Sequence, residues 1–330
     1  MLHIHNGDSS AETLKQSAIP GEHFAWQEAL IEGPTPAGVA GEAWRKLRAK
    51  HLSESYGVDL QECEKDLVDQ EQALASFPDH DEVVLWFEHD LFCQTNLLYL
   101  LNWFAQRDPG KTKLSLICIG EFRGKPSFRG LGELEPEQMA SLFDTRHEVA
   151  SAELKLATTA WKAYRSPDPR AIERLLATDT SALPFLSEAF QCHLARFPSL
   201  RNGLGRIENR GLEFIHDGLN RFIDLFPKFG AAEPVYGLGD SQFWLALRRM
   251  TDARVPLLSE RNGNDKNQKL TPKEVHQSAF EITEAGEEVL KSSADFLELN
   301  GVDTWLGGVH LSGKDYVWRW DEQNCRLVHV

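Results

Sequence analysis

Several features that would assign a chain to a familiar class are missing from this sequence. Its five cysteines are scattered and form no CxxC pair, a spacing that suits neither a structural zinc site nor a disulfide framework. No apolar run approaches the roughly 20 residues that a membrane span needs. The N-terminus has no basic segment and no long apolar segment, so we do not expect a signal peptide. These absences predict a cytoplasmic protein with no membrane partner.

The common sequence motifs of nucleotide-binding proteins and hydrolases are also missing. The chain contains no GxGxxG, no P-loop lysine followed by serine or threonine, and no GxSxG. Their absence argues against a Rossmann dinucleotide site, a Walker-type phosphate site and an α/β-hydrolase nucleophile.

Basic residues are scarce in the first part of the chain. The net charge is −15 overall. Residues 51–100 hold twelve acidic residues and one lysine, whereas residues 201–250 hold six acidic and seven basic residues. An acidic surface repels nucleic-acid phosphates. We therefore expect no specific DNA binding, and any contact with DNA would come from the second half.

The apolar pattern predicts an α/β domain over residues 1–134 with a mainly parallel sheet. Residues 83–87 are a continuous apolar run, which is typical of a strand buried on both faces, and residues 114–119 are predicted to be the next buried strand. Shorter strands are predicted at 2–5 and 24–26. The segments with helical periodicity or capping residues lie between the strands, at 9–17, 38–55, 59–76 and 91–104. This alternation is that of a layered α/β fold.

The rest of the chain is predicted to be mostly helical. Residues 135–200 read as a helical connector, with helices at 135–143, 147–164, 168–177 and 181–196 between prolines. Residues 201–330 read as a winged-helix-like domain with a terminal hairpin. The winged helix is predicted from helices at 204–216, 219–225 and 240–250, strand-like pieces at 255–258 and 278–282, a polar tip at 262–267 and a closing helix at 283–290.

Seven short segments resemble the bacterial domain of unknown function 1835. They are HIHNGDS at 3–9, EGP at 32–34, LWFEHDLFCQ at 85–94, FRGLGEL at 128–134, LPFL at 183–186, NGL at 202–204 and WLGGVHL at 305–311. The resemblance covers nearly the whole chain. It implies a bacterial protein with this two-part layout, and it implies no particular activity.

Polar residues follow the predicted strands, where ligands of parallel α/β sheets bind. Asp8, His89 and Asp90 are the candidate catalytic residues, with the carboxylates able to contact a ligand and His89 able to act as a base or a metal ligand. The candidate ligand-binding residues are Asn6, Gly7, Ser9, Glu28, Glu88, Gln94, Arg123 and Arg129. The sequence thus predicts a site for a small polar or anionic molecule, for example a phosphorylated one, in an enzyme or a sensor.

Each of these residues also has a simpler interpretation. Gly7 and Asp8 suit a turn that starts a helix, and Asp90 suits a helix cap. The arginines suit a charged surface loop, and the identity of any metal or cofactor stays open. The alternative function is that of a regulator acting on a protein partner or DNA through the winged helix. Its third helix carries only Arg248 and Arg249 as basic residues, at the end that contacts bases least.

Overall fold

The computed structural model describes residues 1–261, 272–315 and 317–330. A five-stranded sheet in the order β2-β1-β3-β4-β5 forms its centre, with the first four strands parallel and β5 antiparallel to β4. The strands are β1 (Leu2–Asn6), β2 (Glu22–Trp26), β3 (Glu82–Glu88), β4 (Lys113–Ile119) and β5 (His147–Glu148). The predicted α/β part with a mainly parallel sheet is therefore confirmed.

Helices cover both faces of this sheet. They are α1 (Asp8–Lys15), α2 (Gly41–Tyr56), α3 (Leu60–Ala75), α4 (Leu91–Ala105), α5 (Pro136–Ser141), α6 (Ser151–Tyr164), α7 (Arg170–Leu176) and α8 (Leu186–Leu194). Alternate residues of β3 point to opposite faces. Leu85 and Phe87 belong to the core that includes α4 and α6, whereas Val84 and Trp86 belong to a smaller core with Leu14 of α1. The continuous apolar run of β3 reflects this burial on both faces.

The second half of the chain is built from helices and two-stranded antiparallel sheets. The helices are α9 (Arg206–His216), α10 (Phe222–Ala232), α11 (Asp240–Thr251), α12 (Pro272–Gln277), α13 (Glu284–Leu290) and α14 (Phe296–Asn300). The strand pairs are β6 (Leu258–Glu260) with β7 (Phe280–Ile282), β8 (Val302–Leu306) with β9 (Val309–Gly313), and β10 (Trp318–Asp321) with β11 (Arg326–His329). The predicted terminal hairpin is confirmed as β10 and β11.

Three helices, an antiparallel strand pair and a further helix occur as α9, α10, α11, β6–β7 and α13, in the predicted order. The helix α12 between β6 and β7 was not predicted, and the first strand lies at Leu258–Glu260 where the strand-like piece was expected at 255–258. Trp244 of α11 is buried, with its ring 5.6 Å from that of Phe222. The predicted polar tip, residues 262–267, lies outside the described residues.

Several predicted helices have different bounds, among them the one expected at 181–196, which covers Leu186–Leu194. The helix expected at 219–225 runs instead over α10 and continues past Pro227. A proline inside a helix removes the hydrogen bond to the residue four positions earlier and crowds the carbonyl of that residue. That residue is Ile223, whose side chain is 46% exposed, so water can reach this part of the helix. The helix expected at 147–164 starts at Ser151, because His147 and Glu148 pair with β4.

One apolar core extends across the three predicted ranges of the chain. It joins Leu85 of the sheet to Trp161 and Phe190 of the predicted connector and to Leu311 and Trp320 of the C-terminal hairpins. The predicted boundaries near 134 and 200 are not tested by this packing and remain predictions. Within the part of the chain that the structure describes, we find no helix with both the length and the apolar character needed to cross a membrane.

Candidate ligand site at the ends of the strands

A cleft of about 510 Å³ opens beside the carboxyl ends of β1 and β3. One wall carries Asn6, Glu88 and Asp90 from these strand ends and Cys93 from the first turn of α4. The loop at 129–133 forms an edge of the cleft. The opposite wall comes from the second half of the chain and includes Phe226, Phe229, Gly230, Gly237, Leu238 and Gln242. The cleft therefore lies between the α/β part and α10, α11 and their connection.

Asp90 is fixed at the start of α4. Its backbone is extended and its carboxylate accepts a hydrogen bond from the backbone N–H of Cys93 at 2.9 Å, so Asp90 is the N-cap of the helix. The side chain is 97% buried, yet it lines the cleft. The simpler interpretation of Asp90 as a helix cap is thus confirmed, and the cap and a ligand contact are compatible because a carboxylate accepts several hydrogen bonds.

A chain of short contacts joins Asn6, Cys93 and Glu88. The Asn6 side-chain amide donates to Cys93 Sγ at 2.8 Å, and the Cys93 thiol donates to Glu88 Oε2 at 2.6 Å. The other oxygen of Glu88 accepts a hydrogen bond from the backbone N–H of Leu131. These contacts hold the Glu88 carboxyl between α4 and the 129–133 loop.

The two carboxyl groups disfavour each other's ionisation. Burial raises the pKa of Glu88 from 4.5 to about 7, with a further contribution from the negative charge of Asp90. Burial also raises the pKa of Asp90, and burial together with both carboxylates raises the pKa of the Cys93 thiol well above 9. In the ion pairs that the described residues form, neither Glu88 nor Asp90 has a basic partner.

Glu88, Asp90 and Cys93 could hold a metal ion between them. One ligand atom from each lies within 4.8 Å of the other two, and all three residues are largely enclosed. Carboxylate oxygens together with a thiolate suit a borderline-soft cation such as Zn²⁺ better than they suit Mg²⁺. Binding would require the Cys93 thiol to lose its proton, which a nearby divalent charge favours.

Buried amides support this wall from behind. Asn96 donates through its side-chain amide to Asn6 Oδ1 and to the Glu28 carbonyl, each at 2.7 Å. Gln94, a predicted ligand-binding residue, is buried and donates to the Glu88 carbonyl at 2.7 Å. Gln94 therefore positions the end of β3 and does not line the cleft.

The 7–9 segment lies next to the cleft and not in it. Gly7 has a φ of 96°, which glycine adopts without strain, and the turn lets α1 begin at Asp8. Asp8 is exposed and accepts a hydrogen bond from the Gln27 side chain. Ser9 is exposed and donates to the Gly132 carbonyl at 3.4 Å. The adjacent strands β1 and β3 bring this turn close to Asp90, but the two carboxylates do not share the cleft.

His89 also stays outside the cleft. Its ring is edge-on to that of Phe185 at 6.0 Å, and Gly120 leaves room for it, because a Cβ at Gly120 would lie 3.2 Å from the Cβ of His89. The His89 Nδ1 atom is buried and has no hydrogen-bond partner in the described part of the chain. The predicted role of His89 as a base in the cleft has no geometric support here.

Glu28 and Arg129 have other partners, and Arg123 lies outside the cleft. Glu28 is buried in an ion pair with Arg48 at 2.7 Å, away from the cleft. Arg129 lines the cleft but pairs with Glu133 at 2.8 Å. Arg123 is exposed and does not line the cleft. The structure thus brings together Asn6, Glu88, Asp90 and Arg129 from the predicted set.

Cys93 and the C-terminal wall were missed by the sequence reasoning. Cys93 lies three residues after the cap residue Asp90, where the backbone N–H reaches the cap, so its place in the first turn was predictable. Its contact with Glu88 needs the strand-to-helix turn to be known. Gly237 contacts Asp90 from a segment 147 residues later in the chain, and no local sequence pattern predicts such a contact.

Comparison with models of known protein families gives no match, and comparison with curated proteins gives no similar sequence. The resemblance to the domain of unknown function 1835 therefore stays a prediction.

Proposed function

We propose that the strand-end cleft binds a small polar molecule through a positively charged or hydrogen-bond-donating group, with Glu88 and Asp90 as the acceptors. The observation that carries this proposal is the pair of enclosed carboxyl groups that line an open cleft with no basic partner among the described ion pairs. Burying charged groups without compensation is unfavourable. A ligand that supplies positive charge or N–H and O–H donors would remove this penalty.

The charges around the cleft favour such a ligand over the anion that the sequence suggested. The acidic residues that line it are Glu88, Asp90, Glu133 and Glu233, against Arg129 alone among the basic residues. Glu233 pairs with Arg206 and Arg210, so Glu88 and Asp90 are the lining acids with no basic partner in the described ion pairs. Arg129 is already paired with Glu133, and Lys125 donates to the Glu133 carbonyl. A phosphate or carboxylate here would meet like charges at close range, which is strongly unfavourable in a partly buried site.

The Glu88 carboxyl is suited to exchange a proton with the ligand. A group with a pKa of about 7 is present in both protonation states at neutral pH, which is the condition for efficient general acid or base catalysis. The same group would serve a sensor, because a bound cation would lower the pKa of Glu88 and release its proton. An enzyme and a sensor would both bind a ligand in this cleft, and ligand binding is what we propose.

The test is ligand-induced stabilisation of the full chain. Thermal unfolding is followed with small amines, amides, Zn²⁺, Mn²⁺ and Mg²⁺ at millimolar concentration, with phosphate and acetate as anionic comparisons. We expect at least one amine, amide or cation to raise the Tm, because a ligand that binds only the folded state stabilises it by mass action. The substitution Asp90→Asn should raise the ligand concentration needed for the same increase in Tm by about tenfold or more.

Asp90→Asn is informative because asparagine is also a good helix N-cap, so α4 should persist. The matched control is Asp8→Asn, which removes a neighbouring carboxylate that does not line the cleft. Equal stabilisation of the wild-type chain and Asp90→Asn, or stabilisation by phosphate alone, would contradict the proposal.

We further propose that residues 204–291 form a winged-helix-like unit that serves as the second wall of the cleft. The order of α9, α10, α11, β6–β7 and α13 supports the assignment. On α11, Gln242 donates to the Tyr56 hydroxyl at 3.0 Å, and Arg249 pairs with Glu208 at 2.5 Å. The contact with Tyr56 turns one face of the third helix toward the α/β part, and the pair with Glu208 holds the helix against α9. Both contacts favour a packing role over insertion into a DNA groove.

A further inference from the structure

Two further cavities lie on the other side of α11, away from the strand ends. The smaller cavity, of about 230 Å³, is enclosed by α9, α11, α14 and β8. Its walls are largely apolar and include Leu204, Ile207, Met250, Phe296, Leu297 and Leu306. Apolar walls of this kind bind apolar ligands well, because such space is poorly hydrated.

The larger cavity, of about 670 Å³, adjoins the smaller one and is polar. Arg196, Arg249, Asp303 and Thr304 line both cavities, so the two meet at these residues. The larger cavity continues past Trp244 to the end of α2, including Tyr56. A molecule with an apolar body and a polar head can therefore lie across the junction, with its body in the smaller cavity.

Arg249 can still bind an anion at this junction. Its ion pair with Glu208 joins one terminal nitrogen to one carboxylate oxygen at 2.5 Å, and 40% of its side chain remains exposed. A guanidinium has five N–H donors and binds carboxylates in a two-point geometry. Arg196 lies deeper, 7% exposed, where it donates to the Ile31 carbonyl at 2.6 Å and lies 3.8 Å from Glu32.

We propose that this junction binds a monocarboxylate with a compact apolar body, with the carboxylate on Arg249 and the body in the apolar cavity. An engineered apolar cavity of about 150 Å³ accommodates benzene. A cavity of about 230 Å³ therefore has room for a chain or ring of roughly six to nine carbon atoms.

The test uses octanoate and 3-phenylpropanoate as probes, with 1-octanol as the uncharged comparison. Binding to the full chain is measured by titration calorimetry and by the shift in Tm. Both carboxylates should bind, and octanoate should bind about tenfold more tightly than 1-octanol, because only the carboxylate forms charge-assisted hydrogen bonds. The relative affinities of the two carboxylates then decide between a straight chain and an aromatic body.

Two variants test the contact with the carboxylate and the contact with the apolar body separately. Arg249→Met removes the charge at nearly the same length and should weaken octanoate binding about tenfold while leaving 1-octanol binding unchanged. Ala253→Leu adds side-chain volume to the wall of the apolar cavity and should weaken all three probes. The matched control is Arg248→Met, which removes the same charge from the next residue of α11; Arg248 lines only the larger cavity.

Ala253→Leu also keeps the proposal testable if Arg249→Met fails to fold. Failure of both carboxylates to bind the wild-type chain at millimolar concentration would overturn the proposal. Binding that Ala253→Leu leaves unchanged would overturn it as well, as would equal weakening by Arg248→Met and Arg249→Met. None of these results bears on the strand-end cleft, which has different lining residues.

Discussion

Gly237 lies so close to Asp90 that a Cβ atom at Gly237 would overlap the Asp90 carboxylate. This contact joins the two walls of the strand-end cleft, because Asp90 caps α4 and Gly237 precedes α11. Gly237 also has a φ of 62°, in the left-handed region that glycine adopts most easily. Both the close approach and the backbone conformation therefore require glycine at this position.

The substitution Gly237→Ala should destabilise the protein by roughly 2–4 kcal/mol, from left-handed strain and overpacking together. Chemical unfolding measures the loss. The matched control is Gly230→Ala on the same wall, where a Cβ has nothing within 4 Å and the glycine is helical. Gly230→Ala should be neutral or stabilise by about 0.5–1 kcal/mol. If the two variants have the same stability, the close contact with Asp90 is not present.

The raised pKa of Glu88 predicts that the folded protein loses stability as the pH rises. Between its ordinary pKa of 4.5 and the folded-state pKa of about 7, the folded chain keeps a proton that the unfolded chain has lost. The stabilising contribution is therefore complete below about pH 4.5 and is lost as the pH passes 7. Its size is on the order of 3 kcal/mol, since one pKa unit corresponds to about 1.4 kcal/mol and the pKa moves from 4.5 to about 7.

Urea unfolding of the wild-type chain and of Glu88→Gln, measured at several pH values between about 5 and 8, isolates this effect. Glutamine keeps the shape and does not titrate, so the wild-type chain should lose stability relative to Glu88→Gln with rising pH. Glu121→Gln, which removes an exposed acid just after β4, is the control and should follow the wild type. A constant difference between the wild type and Glu88→Gln would contradict the prediction.

The buried ion pair of Glu28 with Arg48 is predicted to be essential to folding. Arg48 is fully buried and donates to both carboxylate oxygens of Glu28, at 2.7 and 3.0 Å. It also donates to the Glu32 and Ala29 carbonyls at 2.7 and 3.0 Å. The substitution Arg48→Met leaves the buried Glu28 carboxylate with only the Ala29 N–H as a partner and should cost about 3–5 kcal/mol in the free energy of unfolding.

The matched control for this substitution is Arg45→Met, one turn earlier on α2. Arg45 pairs with Glu71 at 2.5 Å, but the two side chains are 26% and 30% exposed. Solvent screens such a pair, so Arg45→Met should cost less than about 1 kcal/mol. Chemical unfolding of both variants gives the comparison, and a larger loss for Arg45→Met would show that the Glu28 pair is not the stronger one.

Local patterns were enough to predict the sheet and most helices. The segments at 83–87 and 114–119 were predicted to be buried strands, and the bounds of β3 and β4 agree with them within two residues. The strand β5 was missed, because two residues have no period of their own and His147 pairs with β4 only through tertiary contact. The hairpin of β8 and β9 was also missed. Its turn contains Gly307, which packs against Tyr164, and this contact between distant residues is not visible in the sequence.

The candidate site was predicted in position and only in part in composition. Parallel strands end at one edge of a sheet, so Asn6, Glu88 and Asp90 had to lie near each other. Which side chains turn into the cleft depends on residues far away in sequence. Phe185 accommodates His89, and Gln27 binds Asp8, and neither contact follows from the spacing of the residues.

We predict that the protein does not bind duplex DNA with sequence specificity at physiological salt. Specific complexes usually reach a Kd of about 10⁻⁸ M or tighter, and their affinity depends on Lys and Arg contacts with phosphates. Each basic residue of α11 pairs with an acidic residue, Arg248 with Asp252 at 2.6 Å and Arg249 with Glu208 at 2.5 Å, so the helix presents little net positive charge to a phosphate backbone. Tyr56 of the acidic first half bonds to Gln242 of the same helix.

This bond brings the negative charge of the first half close to α11. Residues 1–150 hold 25 acidic and 13 basic residues, a net charge of −12. A phosphate backbone approaching α11 would come within reach of this charge, because screening at physiological salt extends over about 8 Å. A selection from random duplexes at about 150 mM salt tests the prediction, and we expect no enriched motif. Recovery of a motif that binds at nanomolar affinity, and whose binding is lost in the double variant Arg248→Ala with Arg249→Ala, would instead favour a regulator that reads DNA through α11.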